Sequence, residues 1–432
     1  MIKQAFAQVV AVIGATAISL RHRNDNLTTR SFGLNPAIPT AKAQGTVPTL
    51  KMPTGKGWIG DHKPTAAAGL KVNAFATGLD HPRNMLVLPN GDVLVAESMG
   101  EAGKPSNIFD WAMHVTMERA KASGSSANRV TLLRDADGDG VAEERHVIVD
   151  NVRQPYGLVY LDGTLYVGAS DKVLAFPYEL GQTKITGAGK VLMTMKAGGH
   201  WTRNLIASAD GKKLYVAVGS LSNIADAGME VEEDRAAIHE LDLVTGQSRI
   251  FGAGLRNPVG MAWEPQTNQL WTVVNERDGL GDETPPDYLT SVVDGGFYGW
   301  PYCYWDRVVD ERVPQNADLV ARALQPDYAL GGHTASLGLC WLPGGTLPGF
   351  PQGMAIGQHG SWNRSKLSGY KLTFVAFENG KPVGMPRDIL TDFLSADEKY
   401  SYGRPVGVAL AADGAVLMAD DVGDVIWRVT GA

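Results

Sequence analysis

The stretch GGHWTRNLIASADGKKLYVAVG, residues 198–219, reads as two short apolar strands joined by a turn at Asp210-Gly211, with His200, Arg203 and Asn204 just ahead of the first strand. Its pattern recurs along the chain. HPRNMLVLPNGDVLVAE, QPYGLVYLDGTLYVGAS, RNPVGMAWEPQTNQLWTVVN and GRPVGVALAADGAVLMADD each give a polar start, an alternating strand, a turn and a second apolar strand. A looser copy runs through TASLGLCWLPGG to GMAIGQHGS. The copies start near Pro82, Pro155, Thr202, Pro258, Ser336 and Pro405, spacings that suit a four-stranded propeller blade with loops of varying length. The expected fold is therefore all-β, a six-bladed β-propeller. RVTLLRD, RHVIVD, AAIHELDL, YKLTFVAF and VIWRVTG serve as outer strands.

Two insertions interrupt the repeats. Residues 107–122 carry apolar side chains at helical spacing behind a Ser106-Asn107 cap, which predicts a surface helix. PPDYLTSVV, residues 285–293, opens with prolines suited to a first helical turn and predicts a second. The expected organisation is a signal or anchor with lead-in over 1–43, an extended surface segment over 44–68, and one propeller domain over 69–432.

Charge excludes one class of partner. The net charge is −7 and lysine and arginine form no run, so the footprint of a nucleic-acid binder is missing. One lysine precedes an apolar stretch from Ala5 to Leu20, as in a secretory signal, which predicts export to the periplasm; an uncleaved membrane anchor is the rival reading. The two cysteines, Cys303 and Cys340, have no metal-ligand spacing, and either a disulfide or two separate thiols is compatible with export. There is no dinucleotide fingerprint between a strand and a helix, and no C-x-x-C-H for heme.

In a propeller the blade starts lead into the innermost strands and so converge on one mouth of the central channel. Arg83 and Asn84, Gln154, His200 with Arg203 and Asn204, Arg256 and Asn257, His333, and Arg404 stand at these starts. Singly, each has an equal claim to be satisfying a neighbour in a crowded ring. Together the arginines would repel one another unless an anionic ligand lay among them, which points to a small anionic cofactor or substrate.

These stretches, together with VNERDGLGDE, DGGFYGWP and GQHGSWNRS, resemble the soluble quinoprotein sugar dehydrogenases, and more closely their L-sorbosone dehydrogenase-like branch, from about Leu79 to Val429. The resemblance implies a six-bladed propeller holding pyrroloquinoline quinone (PQQ) with Ca²⁺ at the channel mouth. It also implies oxidation of a sugar aldehyde or aldose, with electrons passed to a dye, quinone or cytochrome. It casts His200 as the general base, Arg256 and Asn257 as contacts of the quinone, and Arg404 as the partner of a cofactor carboxylate. Arg364, Gln154, Arg203 and Asn204 complete the expected cofactor pocket, and main-chain oxygens at Arg277 and Asp278 are the expected ligands of the active-site Ca²⁺.

DADGDGVAEE offers Asp135, Asp137, Asp139 and Glu143 in the pattern of the first half of a Ca²⁺ loop, without the usual glutamate at its twelfth position; a solvated acidic turn reads equally well. A Ca²⁺-dependent propeller lactonase and a non-catalytic binding propeller are the competing functions. The former would want carboxylate and amide ligands in the channel, where the blade starts are instead rich in arginine.

Overall fold

The computed structural model describes residues 31–42, 49–101 and 108–432. The segment expected to be a signal or anchor, 1–23, lies outside them.

Six sheets of four or five strands follow one another as blades, antiparallel except where Gly252–Ala253 of the third pairs in parallel with Gly296–Phe297. The first is Pro82–Val87, Val93–Glu97, Arg129–Arg134 and Glu144–Val149. The second is Gly157–Leu161, Thr164–Ala169, Lys172–Pro177 and Lys190–Thr194. The third is Leu205–Ala207, Lys213–Val218, Ala237–Asp242 and Ser248–Ala253. The fourth is Pro258–Glu264, Gln269–Val274, Pro286–Ser291 and Tyr328–Gly332, and the fifth Ser336–Leu342, Gly353–Gln358, Lys371–Glu378 and Lys381–Thr391. The sixth takes Pro405–Leu410, Val416–Asp420 and Val425–Gly431 from the end of the chain, and its outer strand, Leu70–Thr77, from ahead of the first blade. Val425 faces Thr77 and Gly431 faces Leu70 in that closing pair.

The core is divided rather than central. Each of six large apolar clusters spans one pair of neighbouring blades. Leu94, Leu132 and Ile148 of the first blade meet Leu165, Val167 and Leu174 of the second, while Trp271 and Leu289 of the fourth meet Met354, Val375 and Phe377 of the fifth. Such strands are covered on both faces, so their sequences read as continuous apolar runs. This explains the one element that the sequence pattern misassigns. Residues 285–293 hold no helix; Pro286–Ser291 is the third strand of the fourth blade, with Tyr288 and Leu289 fully buried and Pro286 at the strand's first position, where a missing N–H is tolerated.

The first expected helix is present as α1, Ile108–Arg119. A second, α2, Ala317–Arg322, starts at Asn316, whose side chain accepts from the Leu319 N–H. Near the axis the blades crowd one another. A Cβ on Gly168 would lie 2.2 Å from the Arg203 carbonyl oxygen of the next blade, so only glycine fits there. The lead-in is docked on the ring: Phe32–Gly33 pairs with the edge of the fourth blade, Thr54–Gly55 with Tyr400–Ser401, and Trp58 donates to Asp420 at 2.7 Å. Cys303 and Cys340 are both free thiols.

Candidate active site at the channel mouth

In each hairpin the start of the inner strand lies beside the end of the second strand, so the mouth is built from both. Three starts carry a non-glycine residue in the left-handed region: His81 (φ 58), Gln154 (φ 47) and His333 (φ 57). That conformation costs about 1–2 kcal/mol per residue, and the surrounding ring holds it in place.

His200 opens the third blade. Its Nδ1 lies 2.9 Å from the Ser220 carbonyl oxygen and 3.0 Å from Ser220 Oγ. A carbonyl can only accept, so the ring proton sits on Nδ1 and the lone pair on Nε2. No partner for Nε2 occurs among the described residues. Burial, and next the Arg256 guanidinium, push the imidazole pKa down to about 3, so the ring is neutral at ordinary pH.

Arg203 and Asn204, just beyond His200, are engaged by the protein itself. Arg203 is fully buried; Nη1 donates to the His200 and Thr202 carbonyls at 2.7 and 2.9 Å, and Nη2 to Lys196 O at 3.0 Å. Asn204 Nδ2 donates to Val259 O at 2.9 Å, while Oδ1 accepts from Asn84 Nδ2 at 3.1 Å, tying three inner strands together. Both brace the base rather than line the pocket, contrary to the expectation from sequence. Arg235, which the sequence did not single out, completes the brace by donating to the carbonyls of Gly219, Lys196, Gly198 and Ser220.

Arg256 opens the fourth blade and is held by the carbonyls of Asn223 and Glu276 at 3.1 and 2.7 Å and by Asn223 Oδ1 at 3.0 Å. Asn257 Oδ1 is buried and unpartnered, and it lies beside His200. A Cβ on Gly219 would sit 2.3 Å from that oxygen and 2.5 Å from His200 Cβ.

The Asp278 carboxylate lies between His333 Nδ1 (3.1 Å) and Arg256 Nη2 (3.7 Å), and His333 Nε2 donates to Gly281 O at 2.8 Å. Burial opposes both charges, yet their hydrogen bond outweighs it, raising the histidine's pKa and lowering the aspartate's. The Asp278 carbonyl accepts from Arg277 Nε and Nη2 at 3.0 and 2.6 Å and from Asn223 Nδ2 at 3.2 Å. A guanidinium and an amide thus occupy the oxygen expected to bind Ca²⁺. With Arg256 and a charged His333 beside it, the donor set does not fit a cation at this point.

Arg404 donates from Nε to His359 O and from Nη2 to Gly360 O, both at 2.8 Å, and leaves Nη1 without a protein partner among the described residues. Gln154 turns its amide nitrogen to Met99 O at 3.0 Å. Arg364 is held by the Gly332 carbonyl and a carboxylate, with Nε unpartnered among the described residues. It pairs with Glu283, whose other oxygen accepts from Ser31 Oγ at 2.7 Å, and lines a side cavity of about 220 Å³ with Phe32 and Gln358.

Sequence reasoning attended to strand starts and so missed strand ends. Asp421 follows the second strand of the sixth blade and meets His359, His81 and Arg83. The guanidinium of Arg83 lies 5.3 Å from the Trp201 ring centroid. Arg83 Nε, Tyr156 Oη, Asn257 Oδ1, Gln358 Oε1 and Asp421 Oδ1 are all buried and unpartnered among the described residues. Buried polar atoms are ordinarily satisfied, and Arg83, Tyr156 and Asp421 lie side by side, so their unpaired atoms mark a place where a polar ligand would complete the structure. Arginines and an aromatic face suit an anionic, planar cofactor such as PQQ, while the unpaired amide oxygens call for a hydrogen-bond donor.

Away from the mouth, ligand atoms of Asp135, Asp137, Asp139 and Glu143 lie within 4.8 Å of one another. Their carboxylates also accept from backbone N–H groups of the same loop, among them Gly138 and Gly140.

The TrAA12-like family profile matches residues 121–432. A PQQ-dependent pyranose dehydrogenase of Coprinopsis cinerea is 25% identical over 360 residues, covering 68% of this chain, and the match spans 49% of that protein's length. The iodide structure of a Trichoderma reesei carbohydrate-active enzyme of family AA12 superimposes with a TM-score of 0.70 at 21% identity, over 89% of this chain and 99% of that one. The holo PQQ domain of the Coprinopsis pyranose dehydrogenase gives 0.68 at 19% identity, over 88% and 100%. The two structures share the six-bladed fold described above.

Proposed function

Because the chain belongs to the TrAA12-like family, we propose that it is a PQQ-dependent dehydrogenase oxidising a sugar aldehyde or an aldose, sorbosone-like or glucose-like. The observation that carries this reading is His200: a neutral imidazole with its lone pair bare on Nε2, beside the unpartnered Asn257 Oδ1 and among arginines. PQQ, when bound, supplies an electrophilic quinone carbon able to take a hydride. Nε2 of His200 accepts the proton of the substrate hydroxyl as the hydride leaves the same carbon, work to which a neutral imidazole is suited. Arg256 would position the cofactor's oxygens, Asn257 Oδ1 would accept from an N–H or O–H group of cofactor or substrate, and Arg404 Nη1 and Arg83 would meet the cofactor carboxylates. Ser220, Arg203 and Arg235 hold the base in place.

No step is routed through Ca²⁺ at Asp278. Calcium belongs instead to the Asp135, Asp137, Asp139 and Glu143 loop, as a structural ion. The electrons leave to a dye, quinone or cytochrome, and the enzyme works in the periplasm. Among the described residues no helix is long and apolar enough to cross a membrane. The lactonase reading gains nothing at the mouth, where Asp278 and Asp421 are each already engaged by arginine and histidine.

The test is PQQ titration followed by dye reduction with L-sorbosone and with glucose. PQQ-dependent reduction that His200→Ala abolishes supports the reading. Absence of PQQ binding overturns it.

A further inference from the structure

A second imidazole cluster faces the same mouth from the fifth, sixth and first blades. His359 follows the strand Gly353–Gln358, whose Gln358 is paired with Ser336 at the start of the inner strand; Asp421 follows Asp420, which is paired with Pro405. Antiparallel pairing therefore places both on the side of the ring that carries His200. Asp421 is fully buried, and a single oxygen, Oδ2, meets His359 Nε2 at 2.8 Å, His81 Nε2 at 3.2 Å and Arg83 Nη1.

With a carboxylate on Nε2, neutral His359 carries its proton there and keeps its lone pair on Nδ1. Nδ1 has no protein partner among the described residues. The His359 side chain is 13% exposed against 4% for His81, so His359 is the member of the pair that reaches the mouth. The groups facing it are Asp421, Arg404, Arg83 and His81. Burial opposes the charge of Asp421, but His359, His81 and Arg83 outweigh it and hold the carboxyl well below its usual range. Burial and Arg404 keep His359 itself neutral at rest.

Taking two electrons from a carbinol, R–CH(OH)–R′, and passing them to an acceptor that takes electrons only releases two protons per turnover. One comes from the hydroxyl and one from the carbon that gives up the hydride. His200 accounts for the first. Resting on the dehydrogenase reading above, we propose that His359, oriented by Asp421, accepts the second through Nδ1 as the electrons depart and passes it to water. The Asp421 carboxylate on Nε2 stabilises the imidazolium formed when Nδ1 takes the proton, and the partly exposed edge of the ring lets water receive it.

The two half-reactions separate the two histidines. In stopped flow, His359→Gln should slow reoxidation of sugar-reduced enzyme by ferricyanide about tenfold or more, while reduction by sugar stays within about twofold of wild type. His200→Ala should do the reverse. Slowing of the sugar step by His359→Gln, or no change in either step, overturns the proposal. Failure of wild-type enzyme to be reduced by any sugar would instead sink the dehydrogenase reading. Independently of cofactor, ¹⁵N-histidine NMR of the apoprotein should report His359 as the Nε2–H tautomer, with that signal shifted in Asp421→Asn; an Nδ1–H tautomer overturns the proposal.

Discussion

The carbonyl oxygen of Ser220 lies 2.9 Å from His200 Nδ1 and fixes the tautomer of the candidate base from the main chain. Because that acceptor survives any substitution of the side chain, Ser220→Ala should lower kcat by less than about tenfold, whereas His200→Ala should lower it by about 10²–10⁴-fold. Steady-state kinetics of the two variants check this. Equal losses would mean that the hydroxyl, not the carbonyl, sets the ring.

The pKa of about 3 for His200 predicts the acid side of the rate profile. The neutral form is the active one, so kcat/KM should show no loss assignable to this ring until pH falls well below the ordinary histidine range. A limb near pH 6.5 that disappears in His200→Gln would contradict the burial described for the site.

Two opposing titrations should shape stability below neutral pH. His200 and His359 are neutral in the fold and have folded pKa values near 3. Below about pH 6.5 the unfolded chain therefore binds more protons, and stability declines as pH drops from there towards 3. Glu276, with its pKa raised to about 7 by burial, works the other way: the fold keeps a proton that the unfolded chain releases, so stability declines as pH rises from 4.5 to 7. Thermal melts across pH should show Glu276→Gln removing the loss between pH 4.5 and 7 and leaving the histidine loss below about pH 6.5.

Packing between blades predicts two further losses. Leu132→Ala, in the cluster joining the first and second blades, should cost about 2–5 kcal/mol in urea unfolding. Gly168→Ala places a methyl against the Arg203 carbonyl and should cost about 1–3 kcal/mol while also disturbing the loop of His200. Unchanged kinetics in Gly168→Ala would separate the brace from the base.

The blades were legible because each hairpin announces itself by turn residues between apolar runs, and His200, Arg256 and Asn257 were legible because they stand at the starts of those hairpins. Pro286–Ser291 was not, since a strand covered on both faces loses the alternation that separates it from a helix. Arg203 and Asn204 look like ligands in sequence; only the positions of Lys196, Val259 and Asn84 reveal that Arg203 Nη2 and both ends of the Asn204 amide are engaged by the ring. The pairing of Arg364 with Glu283, 81 residues away, is likewise invisible in sequence. The dyad of His359 and Asp421 escaped because strand ends become neighbours of strand starts only once the sheet is paired.

The pairing of Leu70–Thr77 with Val425–Gly431 has a consequence for the birth of the molecule. The outer edge of the last blade is among the first parts of the described chain to be synthesised, and it waits for a partner made about 350 residues later. At roughly 5–20 residues per second that interval is on the order of tens of seconds. Throughout it, the early strand presents unpaired backbone to its surroundings, a template for pairing with another nascent chain. Ring closure is thus a race between the seven residues Val425–Gly431 and any stranger, decided before the stability of the finished ring comes into play.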